Sequence, residues 1–203
     1  MDSKIVCAKR AIYNHIYSYS NYNYNHVDIH KVFFKMNHIL FADKRFKIIE
    51  MSYSELDDIC HLEESIFSLE DRFSRRRFRY LLASPNAKIF SCINNSGRIG
   101  YGIAIIRRLR DYKKQGRIYS IGILTKFRNK GVGSLLLKAL EYWLETQGVS
   151  YITLETKRGA KGATAFFGKY GYVSTKLLPN YYGSSSGVRM KKGELENAGN
   201  KWS

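Results

Sequence analysis

Hydrophobic residues recur at helical spacing in several separate segments of the chain. The longest predicted helix covers residues 133–147, and Gly148 follows it as the glycine that commonly ends a helix. Its predicted inward positions are Leu136, Ala139, Leu140, Trp143 and Leu144, and its predicted outward positions are Lys138, Glu141 and Glu145. Shorter helices are predicted at residues 55–67, with Ser54 as the N-cap, at 74–83 and at 163–170. The arginine run at residues 75–77 is interpreted as a solvated face of the second helix.

Short β-branched and aromatic stretches alternate with these helices. They predict strands at residues 46–51, 88–93, 98–106, 117–124, 151–155, 172–177 and 187–191. The sequence Asn-Asn-Ser-Gly at residues 94–97 is a hairpin signal between the second and third of these strands. Because helices and strands follow one another along the chain, an α/β fold around one sheet is predicted.

The two ends of the chain lack this regular pattern. Residues 1–44 are predicted to be a poorly ordered or loosely packed extension, because they include a Tyr-, Asn- and Ser-rich stretch without helical or alternating periodicity. Within this extension, residues 32–40 are more apolar and are predicted to pack as a short helix against the domain. The domain is predicted at residues 45–193, and the polar residues 194–203 are predicted to be a tail.

The composition fits one domain and argues against several classes of protein. Of the 203 residues, 44% are hydrophobic, yet no apolar run approaches the roughly 18 residues of a membrane-spanning helix. The N-terminus lacks a secretory pattern, so the expected compartment is the cytosol. Cys7, Cys60 and Cys92 are widely spaced, which argues against a disulfide framework and a cysteine-based zinc site. The histidines of the first 40 residues are interpreted as solvated, and no metal site is predicted.

The formal net charge of +17, from 34 Lys and Arg against 17 Asp and Glu, is the strongest compositional feature. Such a protein attracts phosphate-rich partners, including RNA, ribosomes and the phosphates of a nucleotide cofactor. A composition rich in Lys, Asn, Ile, Tyr and Ser is an equally good explanation, since AT-rich coding tends to produce it. A polycationic substrate would be repelled unless the site itself were acidic.

The segment most informative about function is residues 121–134, where a strand ends, a basic glycine-containing loop follows and the long helix begins. This arrangement directs free backbone N–H groups and the positive end of a helix dipole toward an anion. Gly131 and Gly133 allow a phosphate to approach the backbone, and Arg128 and Lys130 add positive charge. The glycine spacing differs from that of a Walker loop, and the first glycine of a Rossmann fingerprint is missing.

At Arg128, Gly131 and Gly133 the chain matches the signature of the GNAT acetyltransferase superfamily: Arg or Gln, two residues, Gly, one residue, then Gly or Ala. It resembles this superfamily over about residues 46–192 and looks closest to the RimI-like acetyltransferases of ribosomal-protein N-termini. The supporting segments are Leu154-Glu155, Tyr170-Gly171-Tyr172 and Pro179-Asn180-Tyr181-Tyr182. The resemblance implies a GNAT fold, in which helices flank a mixed central β-sheet with splayed parallel strands, and acetyl-CoA as the acyl donor.

The resemblance also implies which residues bind acetyl-CoA. In this family the pantetheine arm lies between the strand before the motif and the strand after the motif helix, paired as an added strand would be. The residues implied to line the arm are Ile121, Gly122 and Ile123, and those implied at the pyrophosphate are Arg128, Asn129, Lys130, Gly131, Val132, Gly133 and Ser134. A backbone N–H near Ile123 would stabilise the oxyanion. For Gly122, a bulge without ligand contact is the alternative.

Glu155 lies where RimI-like enzymes keep their general base, at the end of an otherwise apolar strand. Direct attack on the thioester needs a neutral amine, so a general base at this position would remove the proton of the amine. The alternative is a structural salt bridge from Glu155 to Lys157 or Arg158.

Two positions depart from the family pattern. Phe167 stands where a tyrosine usually acts as the general acid and contacts the CoA sulfur, and phenylalanine can pack there but cannot donate a proton. Ala160 stands where the subfamily commonly has an asparagine. Tyr181 or Tyr182 is the candidate proton donor, and the alternative is that both are aromatic loop residues that cover the sheet.

The sequence therefore predicts an N-acetyltransferase that transfers an acetyl group from acetyl-CoA to a primary amine of a protein, either an N-terminal α-amino group or a lysine. The reference pKa of about 8 for an α-amino group, against about 10.4 for lysine, slightly favours the N-terminal acceptor. The alternative is a non-catalytic CoA-binding module with the same fold, for which ribosomes or RNA are candidate partners. No membrane partner is expected.

Overall fold

The computed structural model describes residues 45–110 and 113–193, and the backbone of residues 39–42. Within these ranges the strands form one eight-stranded sheet in the order β1-β2-β3-β4-β5-β6-β8-β7. The strands are β1 (Ile39–Ala42), β2 (Lys47–Glu50), β3 (Ala87–Asn94), β4 (Gly97–Arg108), β5 (Lys114–Ile123), β6 (Tyr151–Lys157), β7 (Val173–Tyr182) and β8 (Ser185–Gly193). The helices are α1 (Leu56–Ile66), α2 (Arg75–Ala83), α3 (Val132–Thr146) and α4 (Lys161–Lys169). The predicted α/β class with a mixed sheet flanked by helices is confirmed.

Two hydrophobic cores pack against opposite faces of the sheet, and successive side chains of a strand contribute to one core and then to the other. On β3, Phe90 belongs to the core that contains the buried side chains of α3, whereas Ile89 belongs to the core of α1 and α2. Successive side chains of a strand point to opposite faces, so this division places α3 on one face and α1 with α2 on the other. No helix of the described part of the chain is long and apolar enough to cross a membrane.

A β-bulge in β5 changes the alternation just before the predicted motif. Ile103 and Ala104 of β4 pair with Ser120 and Ile118, which leaves Tyr119 as an extra residue on β5. As a result, Tyr119 and Ser120 both lie on the α1–α2 side, where Ser120 Oγ lies 3.2 Å from Tyr101 Oη.

The parallel strands β5 and β6 pair only at their N-terminal ends. Their register covers residues 115–117 of β5 and 151–153 of β6. Beyond this point β5 remains paired with β4 through Ile123, and β6 remains paired with β8 through Lys157. The two strands therefore diverge, which is the splay that the family resemblance implied.

Three details differ from the sequence-based predictions. Ile39 and Leu40 belong to strand β1, paired with β2, and not to a helix, so the sheet includes residues before the predicted boundary at 45. Glu55, and not Ser54, occupies the N-cap of α1, and Ser52 caps the 3-10 turn Tyr53–Glu55 before it, where the Ser52 N–H donates to Glu55 Oε2 at 2.7 Å. Glu141 is buried and not solvated.

Glu141 is buried because a lysine from a distant strand reaches it. Lys192 Nζ on β8 lies 3.0 Å from both carboxylate oxygens of Glu141, and burial raises the pKa of that carboxyl. A helical period cannot reveal a partner 51 positions later in the chain. The predictions for the histidine-rich extension and for the tail at residues 194–203 concern residues outside the described ranges.

Candidate active site

The divergence of β5 and β6 leaves one edge of β5 unpaired inside the sheet. Leu124 N–H donates to the Ile99 carbonyl on the β4 side, at 3.0 Å. Backbone groups of a strand alternate in direction, so the N–H groups of Ile121 and Ile123 face the divergence. An extended ligand lying there would find strand-like hydrogen-bonding partners.

The loop after β5 turns sharply so that α3 begins at the mouth of this divergence. Asn129 and Gly131 have φ angles of 58° and 88°, and Gly131 is the N-cap of α3. The first backbone hydrogen bond of the helix runs from Leu135 N–H to the Gly131 carbonyl at 3.1 Å. The N–H groups of Val132, Gly133 and Ser134 precede that bond and have no intrahelical acceptor. The helix N-terminus therefore offers N–H donors to an anion, as the sequence predicted.

The basic side chains of this loop are held close to its backbone. Arg128 Nε donates to the Ile123 carbonyl at 3.2 Å. The ammonium groups of Lys126 and Lys130 lie 5.2 and 5.7 Å from the centre of the Phe127 ring. These contacts place the positive charge of the loop beside the N-terminus of α3.

Two glycines of the predicted site are closely packed. A Cβ at Gly133 would lie 3.2 Å from Ile123 Cδ1 and 3.4 Å from Phe166 Cζ. A Cβ at Gly122 would lie 2.8 Å from Tyr101 Cε1 and 2.9 Å from Phe67 Cε2. Because Gly122 has no side chain, it leaves room for these two rings. The alternative considered for Gly122 was a β-bulge, and the structure has the bulge at Tyr119 instead.

Glu155 is bound on both sides by arginines. Arg117 Nε donates to Glu155 Oε2 at 2.8 Å, and Arg189 Nε donates to Oε1 at 2.9 Å. The Glu155 side chain is only 4% exposed. Proton uptake by this carboxylate would weaken both ion pairs.

The salt bridge considered for Glu155 in the sequence exists, but with different partners. Lys157 instead pairs with Asp71, at 3.1 Å. Arg189 lies directly opposite Glu155 in the β6–β8 register, and Arg117 is on the neighbouring strand β5. Sequence reasoning missed both arginines because cross-strand partners depend on a register that the hydrophobic pattern does not specify.

The two candidate tyrosines lie beside Glu155 and have different environments. Tyr182 Oη donates to the backbone carbonyl of Glu155 at 3.1 Å, and burial, followed by the nearby Tyr181 and Glu155, raises the pKa of Tyr182 to about 12. Tyr181 Oη accepts a hydrogen bond from Arg117 Nη2 at 2.6 Å, and Tyr181 is 40% exposed. Tyr182 is thus a buried donor to the backbone, whereas the proton of Tyr181 remains available.

Phe167, on α4, packs away from this polar group. Its ring centre lies 5.0 Å from that of Phe166 and 5.7 Å from that of Tyr172, against the α3-side core. Ala160 is the N-cap of α4, where its methyl group cannot make the hydrogen bond that an asparagine side chain could make. The structure therefore gathers Glu155, Tyr181 and Tyr182 into one group and places Phe167 among aromatic packing contacts. In the described ranges, no group of three or more His, Cys, Asp and Glu side chains could hold a metal ion.

Solved structures share this fold at low sequence identity. A chain of the NatC complex bound to Gag peptide and CoA has a TM-score of 0.66 and 16% identity, covering 74% of this chain and 99% of that one. The ribosomal-protein-S18-alanine N-acetyltransferase from Escherichia coli has a TM-score of 0.62 and 19% identity, covering 75% and 97%. At these identities the likeness establishes the fold.

Curated relatives are similar over shorter segments. An uncharacterised N-acetyltransferase of Methanocaldococcus jannaschii is 38% identical over 68 residues, 33% of this chain and 44% of that protein. An N-alpha-acetyltransferase of Sulfurisphaera tokodaii is 29% identical over 86 residues, 42% of this chain and 52% of that protein. The ribosomal protein bS18-alanine N-acetyltransferase of Salmonella typhimurium is 29% identical over 73 residues, 36% of this chain and 49% of that protein. The chain thus spans about half the length of the curated relatives that it matches.

The family assignment rests on a sequence match that is longer than those to these three curated relatives. The sequence model of the acetyltransferase (GNAT) family matches residues 55–172, more than half of the chain, and this range includes the divergence, the basic loop and α3. The chain belongs to the GNAT acetyltransferase family.

Proposed function

We propose that this chain is an N-acetyltransferase that transfers the acetyl group of acetyl-CoA to the primary amine of a polypeptide. The observation that carries the proposal is the unpaired edge of β5 with the N-terminus of α3 at its mouth. An extended thioester arm fits the edge, and a pyrophosphate fits the N-terminus of the helix. The names of similar proteins, among them several N-alpha-acetyltransferases, support the same reaction.

On this proposal, Ile121, Gly122 and Ile123 bind the arm through their backbone. The pyrophosphate is held by residues 128–134, through the backbone N–H groups of α3 and the charges of Arg128 and Lys130. The Ile123 N–H faces the divergence and stabilises the oxygen of the thioester carbonyl during attack. Phe167 contributes an apolar contact near the arm and no proton.

The acceptor amine is proposed to approach Glu155 from the α1–α2 side of the sheet. Its attack forms the amide N–C bond and breaks the thioester C–S bond, with one proton leaving the amine and one reaching the departing thiolate. Glu155, oriented by Arg117 and Arg189, is the proposed proton acceptor. Tyr181 is the better placed of the two tyrosines to donate, because the Tyr182 hydroxyl is bonded to the Glu155 carbonyl.

The surroundings of Glu155 favour an N-terminal α-amino group as the acceptor. Two arginines neutralise the carboxylate, so this region is not the acidic site that a polyamine would require. An α-amino group also loses its proton more readily than a lysine, since its reference pKa is about 8 against about 10.4. Lysine acetylation remains the second acceptor class to be assayed.

The test is CoA release by the full chain in the presence of acetyl-CoA and N-terminal peptides, lysine peptides or polyamines. We expect release that depends on N-terminal peptides, and Lys130→Glu should raise the KM for acetyl-CoA roughly tenfold or more by placing a negative charge at the pyrophosphate. Lys138→Glu is the matched control, because Lys138 is an exposed lysine farther along α3 and its replacement changes the net charge equally. Equal KM values for the two variants would contradict the proposed donor site.

A second candidate is a CoA-binding module without catalysis. Two observations favour it. Both carboxylate oxygens of Glu155 are already bonded to arginines, and Phe167 has no proton to donate. Saturable acetyl-CoA binding without CoA release for any acceptor class is the result that this candidate predicts.

Association with ribosomes or RNA is a further proposal, supported by the net charge of +17. Binding to RNA that weakens steeply with salt would show phosphate contact, and a sequence preference would be needed for a specific role. We propose the cytosol as the compartment, supported by the free thiol of Cys60.

A further inference from the structure

We infer that the preferred acceptor is a polypeptide N-terminus followed by acidic side chains, which bind along a cationic track from Arg117 to α2. This inference rests on the proposed function and specifies its substrate class. It is carried by three observations: the charge around Glu155, a continuous line of arginine–aromatic contacts, and the exposed arginines at the far end of that line.

The region around Glu155 is cationic overall. Arg117, Arg189 and Lys157 supply three positive charges, and the carboxylates paired with them are Glu155 and Asp71. A residue that follows the acetylated amine would thus meet a positive surplus. Acidic side chains are favoured by such a field, and lysine or arginine side chains are disfavoured.

A line of contacts leads from this region to α2. The Arg117 guanidinium lies 5.1 Å from the centre of the Tyr119 ring, and the Arg77 guanidinium lies 4.9 Å from the same ring. Arg77 Nη2 also donates to Tyr119 Oη at 2.8 Å. Arg77 in turn lies 5.7 Å from the centre of the Tyr80 ring, which is 64% exposed. At about 3.3 Å per residue, an extended peptide would span these contacts with about five residues.

Tyr119 lies at the centre of this track. Tyr119 is the extra residue of the bulge and lies on the α1–α2 side, stacked on Phe73 with ring centres 5.1 Å apart. Because Arg117 and Tyr119 lie on this same side, Tyr119 reaches Arg77 while Arg117 remains bound to Glu155. The track is therefore continuous with the proposed acceptor site.

The end of the track on α2 is rich in arginine and has no acidic residue in the helix. Ser74, Arg76, Arg77 and Tyr80 line a depression of about 300 Å³. Arg76 and Arg79 are exposed, and no ion pair found among the described residues includes either of them, whereas Arg75 is paired with Asp57. These two guanidinium groups are suited to bind carboxylates on a passing chain.

Nucleic acid is the other partner that such arginines attract, and the geometry favours the acidic peptide. The track ends at the proposed acceptor site, where an amine and not a phosphate is required. In addition, Tyr80 is the aromatic ring that lines this depression, whereas single-stranded nucleic acids are usually stacked on several rings.

The experiment compares peptides that share their first two residues and carry Glu, Gln or Lys at the next four positions. Rates of CoA release give kcat/KM, and fluorescence anisotropy of labelled peptides gives affinity independently of turnover. We expect both quantities to follow the order Glu, Gln, Lys, with about a fivefold or larger advantage of Glu over Gln that shrinks as salt is added.

The double variant Arg76→Gln, Arg79→Gln should remove most of the Glu advantage, with a much smaller effect on kcat/KM for the Gln peptide. The matched control is Lys138→Gln, Lys169→Gln, which removes two exposed charges on the opposite face of the sheet and should preserve the advantage. Equal rates and affinities for Glu and Gln peptides in the unmodified protein would overturn the inference. So would an equal loss for both peptides in the Arg76, Arg79 variant.

Two outcomes separate this inference from the proposed function. If no peptide is acetylated but the Glu peptide binds best and loses that advantage in the Arg76, Arg79 variant, the acidic-peptide surface stands and the proposed catalysis fails. If peptides are acetylated without regard to charge, and a single-stranded RNA oligonucleotide binds through Arg76 and Arg79, the track belongs to nucleic acid and the inference fails.

Discussion

Glu155 combines near-complete burial of the side chain with two guanidinium partners, as a buried charge requires. A neutral side chain at this position would leave both guanidinium groups without their carboxylate partner. The arginines also fix the direction of the Glu155 carboxylate, because Arg117 is on β5 and Arg189 is opposite Glu155 on β8. Its contribution to catalysis can therefore be separated from its structural contribution by experiment.

Glu155→Gln should lower kcat about a hundredfold, because an amide cannot accept the amine's proton. Affinity for acetyl-CoA should be retained, since Glu155 lies apart from the basic loop. Glu141→Gln is the control, because it also breaks a buried ion pair, with Lys192, but on α3. A Glu155→Gln enzyme with normal kcat would exclude Glu155 as the base.

The neighbouring tyrosines should respond differently to loss of their hydroxyl groups. Tyr181→Phe should reduce kcat about tenfold or more, because it removes the available proton donor beside Arg117. Tyr182→Phe should instead lower the free energy of unfolding by about 1 kcal/mol, through loss of the hydrogen bond to the Glu155 carbonyl, with a smaller effect on kcat. Steady-state kinetics and urea denaturation of both variants check this difference, and the reverse pattern would assign the donor role to Tyr182.

At the scale of the element, α3 connects the fold to the proposed donor site. It begins at Gly131 and is followed by Gly148, and both glycines have positive φ, of 88° and 69°. A Cβ added to either glycine would meet no atom within 4 Å. The two positions therefore impose similar conformational demands at opposite ends of one helix.

Gly131→Ala and Gly148→Ala should each lower the free energy of unfolding by about 1 kcal/mol, because a side chain disfavours positive φ. Only Gly131→Ala should also weaken acetyl-CoA binding, since it distorts the N–H groups at the N-terminus of the helix. Denaturation and calorimetric titration of the two variants measure both effects. If Gly148→Ala weakens binding equally, the N-terminus of α3 is not the specific site.

The sequence predicted most of these elements because each has a strong local signal. The helix at residues 132–146 was indicated by its apolar period, and its N-terminal site was indicated by Gly131 beside basic residues. Ile39 and Leu40 were assigned wrongly because a short apolar stretch fits either a strand or a helix, and pairing with β2 decides between them. The three partners of Glu155 and Glu141 could not be predicted, because all of them are contributed by strands distant in the sequence.

At the scale of the whole molecule, a buried carboxylate links stability to pH. Glu63 on α1 is 1% exposed, accepts a hydrogen bond from Phe73 N–H at 2.8 Å and another from Tyr101 Oη. Burial raises the pKa of Glu63 above its ordinary value of 4.5, and it raises the pKa of Tyr101 well above 10. The folded protein therefore binds the Glu63 proton more tightly than the unfolded chain does.

Since the pKa of Glu63 is raised on folding, its contribution to stability should fall as pH rises from about 4.5 through the folded-state pKa. Glu63→Gln should remove this part of the pH dependence, so the variant should gain stability relative to the unmodified protein as pH increases. Urea midpoints measured from about pH 4 to about pH 8 check the sign. A difference between the two proteins that is constant with pH would show that Glu63 does not titrate in this window.

The short pairing of β5 with β6 has a consequence for the molecule without its substrate. Three residue pairs hold these strands together, so the sheet is divided along the rest of their length into two halves with a seam between them. An acyl donor in that seam would act as a removable strand, and its binding energy would add to the stability of folding. At a hundredfold excess over Kd this linkage is worth about 2.7 kcal/mol, a substantial part of the stability of a typical domain. The supply of the donor would then change the stability of this protein as well as the rate of its proposed reaction.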